Sequence, residues 1–397
     1  MKIKHIYLFF VLLSAIGFLS CSDMNDIHDG YLQRGETIYV GQPDSAKTFS
    51  GNGRVLLRYW YSDPKVAKLK VFWDFRQDSL LLDIPEGQLG KPIDLLIDKL
   101  EEKQYTFELV TFNKTMQYPS IPLKIQANVY GENFQSTLFD RKVRYATYID
   151  ENHIKINWGS KVINSIGIDI AYVDNEGIDR EEFIPIDKLS TELNDFSEDL
   201  TYRTVFLPDS AAVDTFYTSY KTIPIDKEVN KGTFKRWNPT GIPYNDLGSS
   251  YTIEKMWNND VNTWYIFNIP QGYPHSLTFD LGKLFQLTRI KHWQRLTNSV
   301  VYRIQNVKTF VLYGSSTDKV GAGYDGWTKL GAFQSYKPSG LPKGQESAED
   351  VEYATQGEVF ILDKNIPPVR YIRYEVIETW DNKVHGAIGE MSFFSID

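Results

Sequence analysis

The sequence predicts an all-β chain built as three consecutive sandwich units, and three observations predict it. Apolar and polar residues alternate with period two over most of the chain, the pattern of strands with one buried face. Clusters such as Gly51-Asn52-Gly53, Ser62-Asp63-Pro64 and Pro85-Glu86-Gly87 punctuate the runs as turns. The first set of strands then recurs in outline about a hundred residues later, the length of one small sandwich.

In chain order, residues 1–20 read as a targeting segment rather than structure. Lys2 and Lys4 form a basic start, and Ile6 to Leu19 is an apolar stretch short for a bilayer span. Phe18-Leu19-Ser20-Cys21 follows, and Cys21 is the only cysteine. This run resembles a bacterial lipobox, with Phe18 where the pattern prefers Leu. The resemblance implies lipidation at Cys21 and a membrane anchor through that lipid. The alternative is ordinary cleavage near Ser20 with a free thiol. Residues 21–35 are polar and acidic and read as a tether, similar to surface-export signals of Bacteroidota lipoproteins. Removing residues 1–20 takes away two lysines and no acid, so the formal charge moves from −8 to −10. Such an acidic chain excludes nucleic acid as a partner, since that requires clustered Lys and Arg. A single cysteine leaves stability to hydrophobic cores.

Residues 36–128 form the first unit. Val55, Leu57 and Tyr59 alternate with Leu56, Arg58 and Trp60, and Leu69, Val71 and Trp73 alternate with Lys70 and Phe72. Tyr105, Phe107, Leu109 and Thr111 share a face, and only Ile93 to Leu100 reads as a possible short helix. Residues 129–227 repeat this outline through Ile154-x-Ile156-x-Trp158, Ile166 to Tyr172, and Tyr202-x-Thr204-x-Phe206. An early Trp and a late Tyr in a unit of this length resemble an Ig-like fibronectin type III sandwich. That resemblance makes Trp60 and Trp158 core residues and Tyr105 and Tyr202 the tyrosines that bond back to the backbone. It implies spacer and interaction modules.

Residues 228–397 hold six of the nine tryptophans. Strands are expected at Leu277–Leu281, Leu287–Trp293, Val307–Tyr313, Val369–Val376 and Ile388–Phe394, with residues 336–357 as a long surface loop. The stretch Trp257-Asn-Asn-Asp-Val-Asn-Thr-Trp264 packs oxygen-bearing side chains between two tryptophans. It reads either as an Asn/Asp turn or as a loop for a hard cation. Leu277-Thr-Phe-Asp-Leu-Gly282, Trp293-Gln294-Arg295, Val307 to Ser315, Trp327 and Ile388-Gly-Glu-Met391 then follow in order. The ordered set resembles the discoidin-like jelly roll, the coagulation-factor C-type (F5/8 type C, galactose-binding-like) domain found among carbohydrate-binding modules. The three-part chain also resembles lipoproteins of Bacteroidota polysaccharide-utilisation systems.

The resemblance implies a structural Ca²⁺ held by Asn258, Asp260, Thr263 and Glu390. Asn258 stands where the family has Asp, which removes one negative charge. The alternative for Glu390, a carboxylate in an apolar strand, is a salt bridge to Lys or Arg. For the ligand, the resemblance points to Arg295 with Asn298 in the loop after it. Tyr265 and Phe267 follow the cation loop, Trp293 precedes the Arg, and Trp380 and His385 lie before the last strand. Aromatic faces and the planar Arg fork suit a sugar ring and its hydroxyls. Trp257, Trp293 and Trp327 read equally as core.

The expectation is an outer-membrane, surface-exposed lipoprotein that binds a polysaccharide or other glycan through residues 228–397 without catalysis. Proteins of an outer-membrane transport complex are expected as further partners. The alternatives are a protein-binding adhesin or assembly subunit and, less favoured, a glycoside hydrolase. A hydrolase needs two carboxylates about 5–10 Å apart in a cleft. No His-Glu-x-x-His, Gly-x-Ser-x-Gly or Walker motif is present, Ser62-Asp-Pro-Lys65 sits at a turn, and the six histidines are scattered.

Overall fold

In the computed structural model the fold is all-β and built from β-sandwich sheets. The structure describes residues 39–296, 300–381 and 384–396. The targeting segment, Cys21, the tether at 21–35 and Asn298 lie outside the described residues. The chain falls into two compact units, one of residues up to 139 with 205–218, the other of residues 140–204 and 219 onward.

In the first unit, Ser45–Ser50, Val55–Trp60 and Ile93–Ile97 form one sheet. Asp78–Asp83, Lys68–Trp73, Gln104–Phe112 and Leu123–Asn128 form another, in that order. Pairing is antiparallel, with Leu57 opposite Leu95 and Val71 opposite Leu109, so alternate residues enter one core. Ile93–Ile97 is a strand rather than a helix. Its own alternation buries Leu95 and Ile97 and leaves Asp94 outside, where it takes two hydrogen bonds from the opposing Arg58. Tyr105 accepts from the Glu101 amide at 3.1 Å, the backward bond its position implies. Trp60 is not a core residue. Tyr59 fills the inner position, and Trp60, one residue on, lies half-buried on the opposite face.

In the second unit, Ile154, Ile156, Trp158, Ile168, Ile170, Leu200 and Tyr202 form a core among residues 143–225. Trp158 donates its indole N–H to Thr191 at 2.9 Å and packs 5.7 Å from the Tyr202 ring. The sheet holding Ile154–Trp158 and Val143–Tyr148 does not end with that core. Val143–Tyr148 pairs in parallel with Ile225–Glu228, which pairs with Glu390–Ser395, then Leu287–Trp293 and Glu358–Ile361. The buried Asp226–Arg289 pair, at 2.8 and 2.9 Å, pins this joint. A five-stranded sheet of Lys235–Arg236, His275–Phe285, Val369–Thr379, Val307–Ser315 and Thr328–Gln334 covers the other side of the C-terminal core. Phe279, Leu281, Ile290, Leu312, Ile372, Tyr374 and Phe393 fill the space.

Residues 336–357 are not all loop. Ala348–Gln356 is a helix, started by Ser347, which accepts from the Asp350 amide while the Asp350 carboxylate accepts from the Ser347 amide.

Candidate functional site

The candidate site lies where Leu287–Trp293 ends, at residues 294–296 and 300–306 before Val307–Ser315. Buried side chains hold this loop from beneath. Gln294 accepts from the Tyr302 amide at 2.7 Å and donates to Glu358 at 3.1 Å. Burial raises the Glu358 carboxyl, and hydrogen bonds from Ser335, the Tyr336 amide and Gln294 oppose the rise. Asn306 accepts from the Arg295 amide at 2.8 Å, donates to Val300 O at 2.7 Å, and its carbonyl accepts from the Trp380 amide at 2.9 Å. So braced, Tyr302 and Ile304 keep φ of 51° and 59°, in the left-handed region that non-glycine residues avoid. A satellite core of Val301, Tyr302 and Ala354, with Leu296, Val351 and Trp380 against it, ties the loop to the helix.

The loop holds Arg295 with its guanidinium 4.7 Å from the centre of the Trp264 ring, a cation–π contact. Tyr251 stacks on Trp264 from another side at 6.4 Å and 25°. Around this pair, buried polar atoms go without hydrogen-bond partners among the described residues. They are Arg295 Nε and Trp264 Nε1 of the pair itself, with Tyr302 Oη, Gln305 Oε1 and Trp380 Nε1 on the neighbouring segments, while Arg303 Nε has only Glu346 Oε2 at 3.9 Å. Native chains leave few such atoms, and a bound molecule or ordered water satisfies them. The arrangement offers donors, an acceptor and aromatic surface in one place. That is the chemistry of hydroxyl recognition.

The residues expected to meet ligand fare differently. Arg295 is at the centre of the cluster. Trp380 borders it, packed edge-on against Tyr302 at 5.4 Å with Lys308 Nζ 5.5 Å from its ring centre. Tyr265 and Phe267 do not meet ligand, because both are fully buried in the core. Their strand, Tyr265–Asn268, pairs with His385–Ile388, and Gly386 backs onto the Phe267 ring so closely that a Cβ there would fall 2.1 Å from it. His385 starts that partner strand opposite Asn268. Trp293 is half-buried, donates to Thr355 O at 3.2 Å and lies against Gly357, with Lys291 Nζ 4.7 Å over its ring. Its faces are taken, so it offers no stacking surface. Trp264, Tyr302 and Arg303 were not expected. Trp264 read only as the edge of the cation loop, and nothing in sequence brings it to Arg295.

The cation loop closes on itself. Asn258 Oδ1 accepts from the Asp260 amide at 3.1 Å, Asp260 Oδ1 accepts from the Asn262 amide at 3.0 Å, and Thr263 Oγ1 donates to Asp260 O at 3.1 Å. Glu390 is buried, but its Oε1 accepts from the Lys231 ammonium at 2.6 Å, with the Asn259 amide at 3.4 Å. Burial raises the Glu390 carboxyl and Lys231 opposes the rise. Asn258, Asp260, Thr263 and Glu390 therefore do not fit Ca²⁺, which needs six to eight oxygens and net negative charge. Glu390 Oε2 is buried without a partner. That single oxygen beside an ammonium suits a neutral donor, not a divalent cation. Among the described residues no cluster of three or more His, Cys, Asp or Glu is arranged for a metal.

Residues 21–216 match the model of DUF4998, a domain of unknown function, and residues 257–395 match that of DUF5000, another. Among solved structures, the chain is similar to a SusE-like protein at 27% identity, covering 64% of this chain and 96% of that one, with a TM-score of 0.41. It is also similar to CBM32-3 from a family 31 glycoside hydrolase of Clostridium perfringens, at 16% identity over 42% and 94% of the two chains, TM-score 0.32. A two-domain fibronectin type III segment of chicken tenascin is similar at 14% identity over 46% and 99%, TM-score 0.20. No curated protein matches.

Proposed function

We propose that this chain is a non-catalytic glycan-binding lipoprotein that captures polysaccharide at a bacterial outer-membrane surface for a utilisation system. The observation that carries the reading is Arg295 against Trp264, with Arg295 Nε, Trp264 Nε1, Tyr302 Oη, Gln305 Oε1 and Trp380 Nε1 buried without hydrogen-bond partners among the described residues. A saccharide supplies hydroxyls that donate to Gln305 Oε1 and accept from the N–H groups, and a C–H face that packs on indole. Among the described residues, each buried carboxylate of the second unit has at least one cationic or hydrogen-bond partner. Asp169, Asp174, Asp226, Asp280, Glu375 and Glu390 pair with Arg203, Arg180, Arg289, Arg370, Arg373 and Lys231. Asp350 caps a helix and Glu358 takes neutral donors. These partners are structural ion pairs and caps, which supports binding rather than acid–base hydrolysis by two carboxylates facing each other across a cleft. Lipid attachment at Cys21 provides the anchor, and many anchored copies compensate for a weak site by avidity. Proteins of an outer-membrane transport complex are the natural recipients of the captured chain.

The test is affinity electrophoresis of the chain from residue 21 onward through gels holding a panel of soluble polysaccharides. Retardation by at least one polysaccharide, lost in Arg295→Ala with the thermal midpoint kept, is the expected result. Absence of retardation by every glycan would overturn the reading, and capture of a surface protein at the same residues would favour an adhesin.

A further inference from the structure

We propose that the first sandwich carries a second saccharide-binding site, centred on Phe75 and distinct from the Arg295 cluster. The turn between Lys68–Trp73 and Asp78–Asp83 is built in an unusual way. Asp74, Phe75 and Arg76 have φ of 50°, 57° and 67°, three consecutive left-handed residues and none of them glycine. The left-handed form brings the Cβ of such residues against the backbone and is strained. Glycine or asparagine there would relieve the strain, as hairpin turns usually do.

The strain is held by specific contacts. Arg76 Nε donates to Glu108 Oε2 at 2.7 Å, Lys103 Nζ lies 3.4 Å from Asp74 Oδ1, and the Gln77 amide donates to Asp74 O at 3.0 Å. Lys124 Nζ takes the other Glu108 oxygen at 3.0 Å. Lys124 and then Arg76 hold the Glu108 carboxyl below the usual carboxylate range. The result of this bracing is that Phe75 is 98% exposed. A fully exposed phenylalanine on an over-determined, strained turn is a feature that folding alone does not call for.

What lies beside Phe75 indicates the class of ligand. A cavity of about 310 Å³ opens at the foot of the turn, lined by Phe72, Trp73, Arg76, Gln104, Thr106 and Glu108. A phenylalanine that anchors into a partner protein is a knob and needs no hollow behind it. A ring standing over a hollow with a guanidinium, a carboxylate, an amide and a hydroxyl suits a pyranose. The apolar face of the sugar stacks on Phe75, and its hydroxyls reach the polar floor. Charges around the hollow balance, with Arg76 and Lys124 against Asp74 and Glu108. Neutral sugar units fit this balance.

The choice of a saccharide rests on the glycan reading above, and the experiment separates the two. Wild type, Phe75→Ala, Phe75→Trp and Arg295→Ala are run through the same polysaccharide gels, with thermal midpoints measured alongside. Phe75→Ala, at a fully exposed position, keeps the midpoint and weakens retardation by about fivefold, while Phe75→Trp keeps it. Unchanged retardation in Phe75→Ala, with loss in Arg295→Ala, overturns the second site and leaves the first. Loss in Phe75→Ala with none in Arg295→Ala does the reverse. Absence of retardation in wild type overturns both.

Discussion

Two segments of the C-terminal core invite comparison, Trp257–Trp264 and residues 294–296 with 300–306. Both are rich in polar side chains, and they meet where Trp264 lies under Arg295. In the first, nearly every polar group has found a partner within the loop or in Lys231. In the second, polar side chains that brace the backbone, Gln294 and Asn306, are satisfied, while those around Arg295 keep buried atoms unpaired. The difference teaches that a dense run of Asn, Asp and Thr marks a turn that feeds itself. A binding surface is marked by groups the fold has braced but not consumed.

The sharpest way to break this comparison is to disturb the consumed pair. Lys231→Met leaves Glu390 buried without its cation and is expected to cost about 3–5 kcal/mol in chemical denaturation. Adding Glu390→Gln should return most of that loss. The pH dependence gives a sign check. Burial already raises the folded-state pKa of Glu390 above 4.5, and Lys231 opposes that rise. Without the ammonium the folded chain holds the proton over a wider pH range in which the unfolded chain has released it. Stability from this group therefore falls as pH rises above 4.5. The gap between single and double variants should widen from roughly pH 5 to pH 8. A flat gap would mean that Lys231 does not govern the carboxylate.

A second, smaller effect sharpens the other side. Arg295→Ala and Trp264→Ala should each weaken glycan retention by at least about tenfold, equivalent to about 1.4 kcal/mol. Equal loss in Asn258→Ala would show that the self-satisfied loop is also part of the site. The smallest expected effect is that of Ca²⁺. Excess Ca²⁺ or chelator should leave the thermal midpoint within about 1 °C, because a cation bound only by the folded state must raise it. A clear rise with Ca²⁺ would show the Trp257–Trp264 loop opening to a metal after all.

Much of the fold was legible because strands write period two into the sequence. Val55-x-Leu57-x-Tyr59 and Tyr105-x-Phe107-x-Leu109 face the core as the alternation requires. Which member of the pair Tyr59 and Trp60 goes inside is a matter of register, and one step reverses the face. Tyr265 and Phe267 misled for a different reason. The resemblance placed them beside the ligand after the cation loop, but their strand pairs with His385–Ile388 and both rings are buried in the core. The helix at Ala348–Gln356 was announced only by Ser347 and Asp350, a short capping signal inside a loop-like composition.

The sequence by itself determined the all-β class and the strand Leu287–Trp293 that leads to Arg295. These depend on local alternation, turn chemistry and near-neighbour spacing. Tertiary structure alone decided that Lys231 meets Glu390 across 159 residues, that Trp264 lies under Arg295, and that the expected cation loop is closed. The physical reason is that charge pairing and ring contacts depend on which side chains the sheets bring within a few ångströms of one another. Residues far apart in the chain carry no local mark of that meeting.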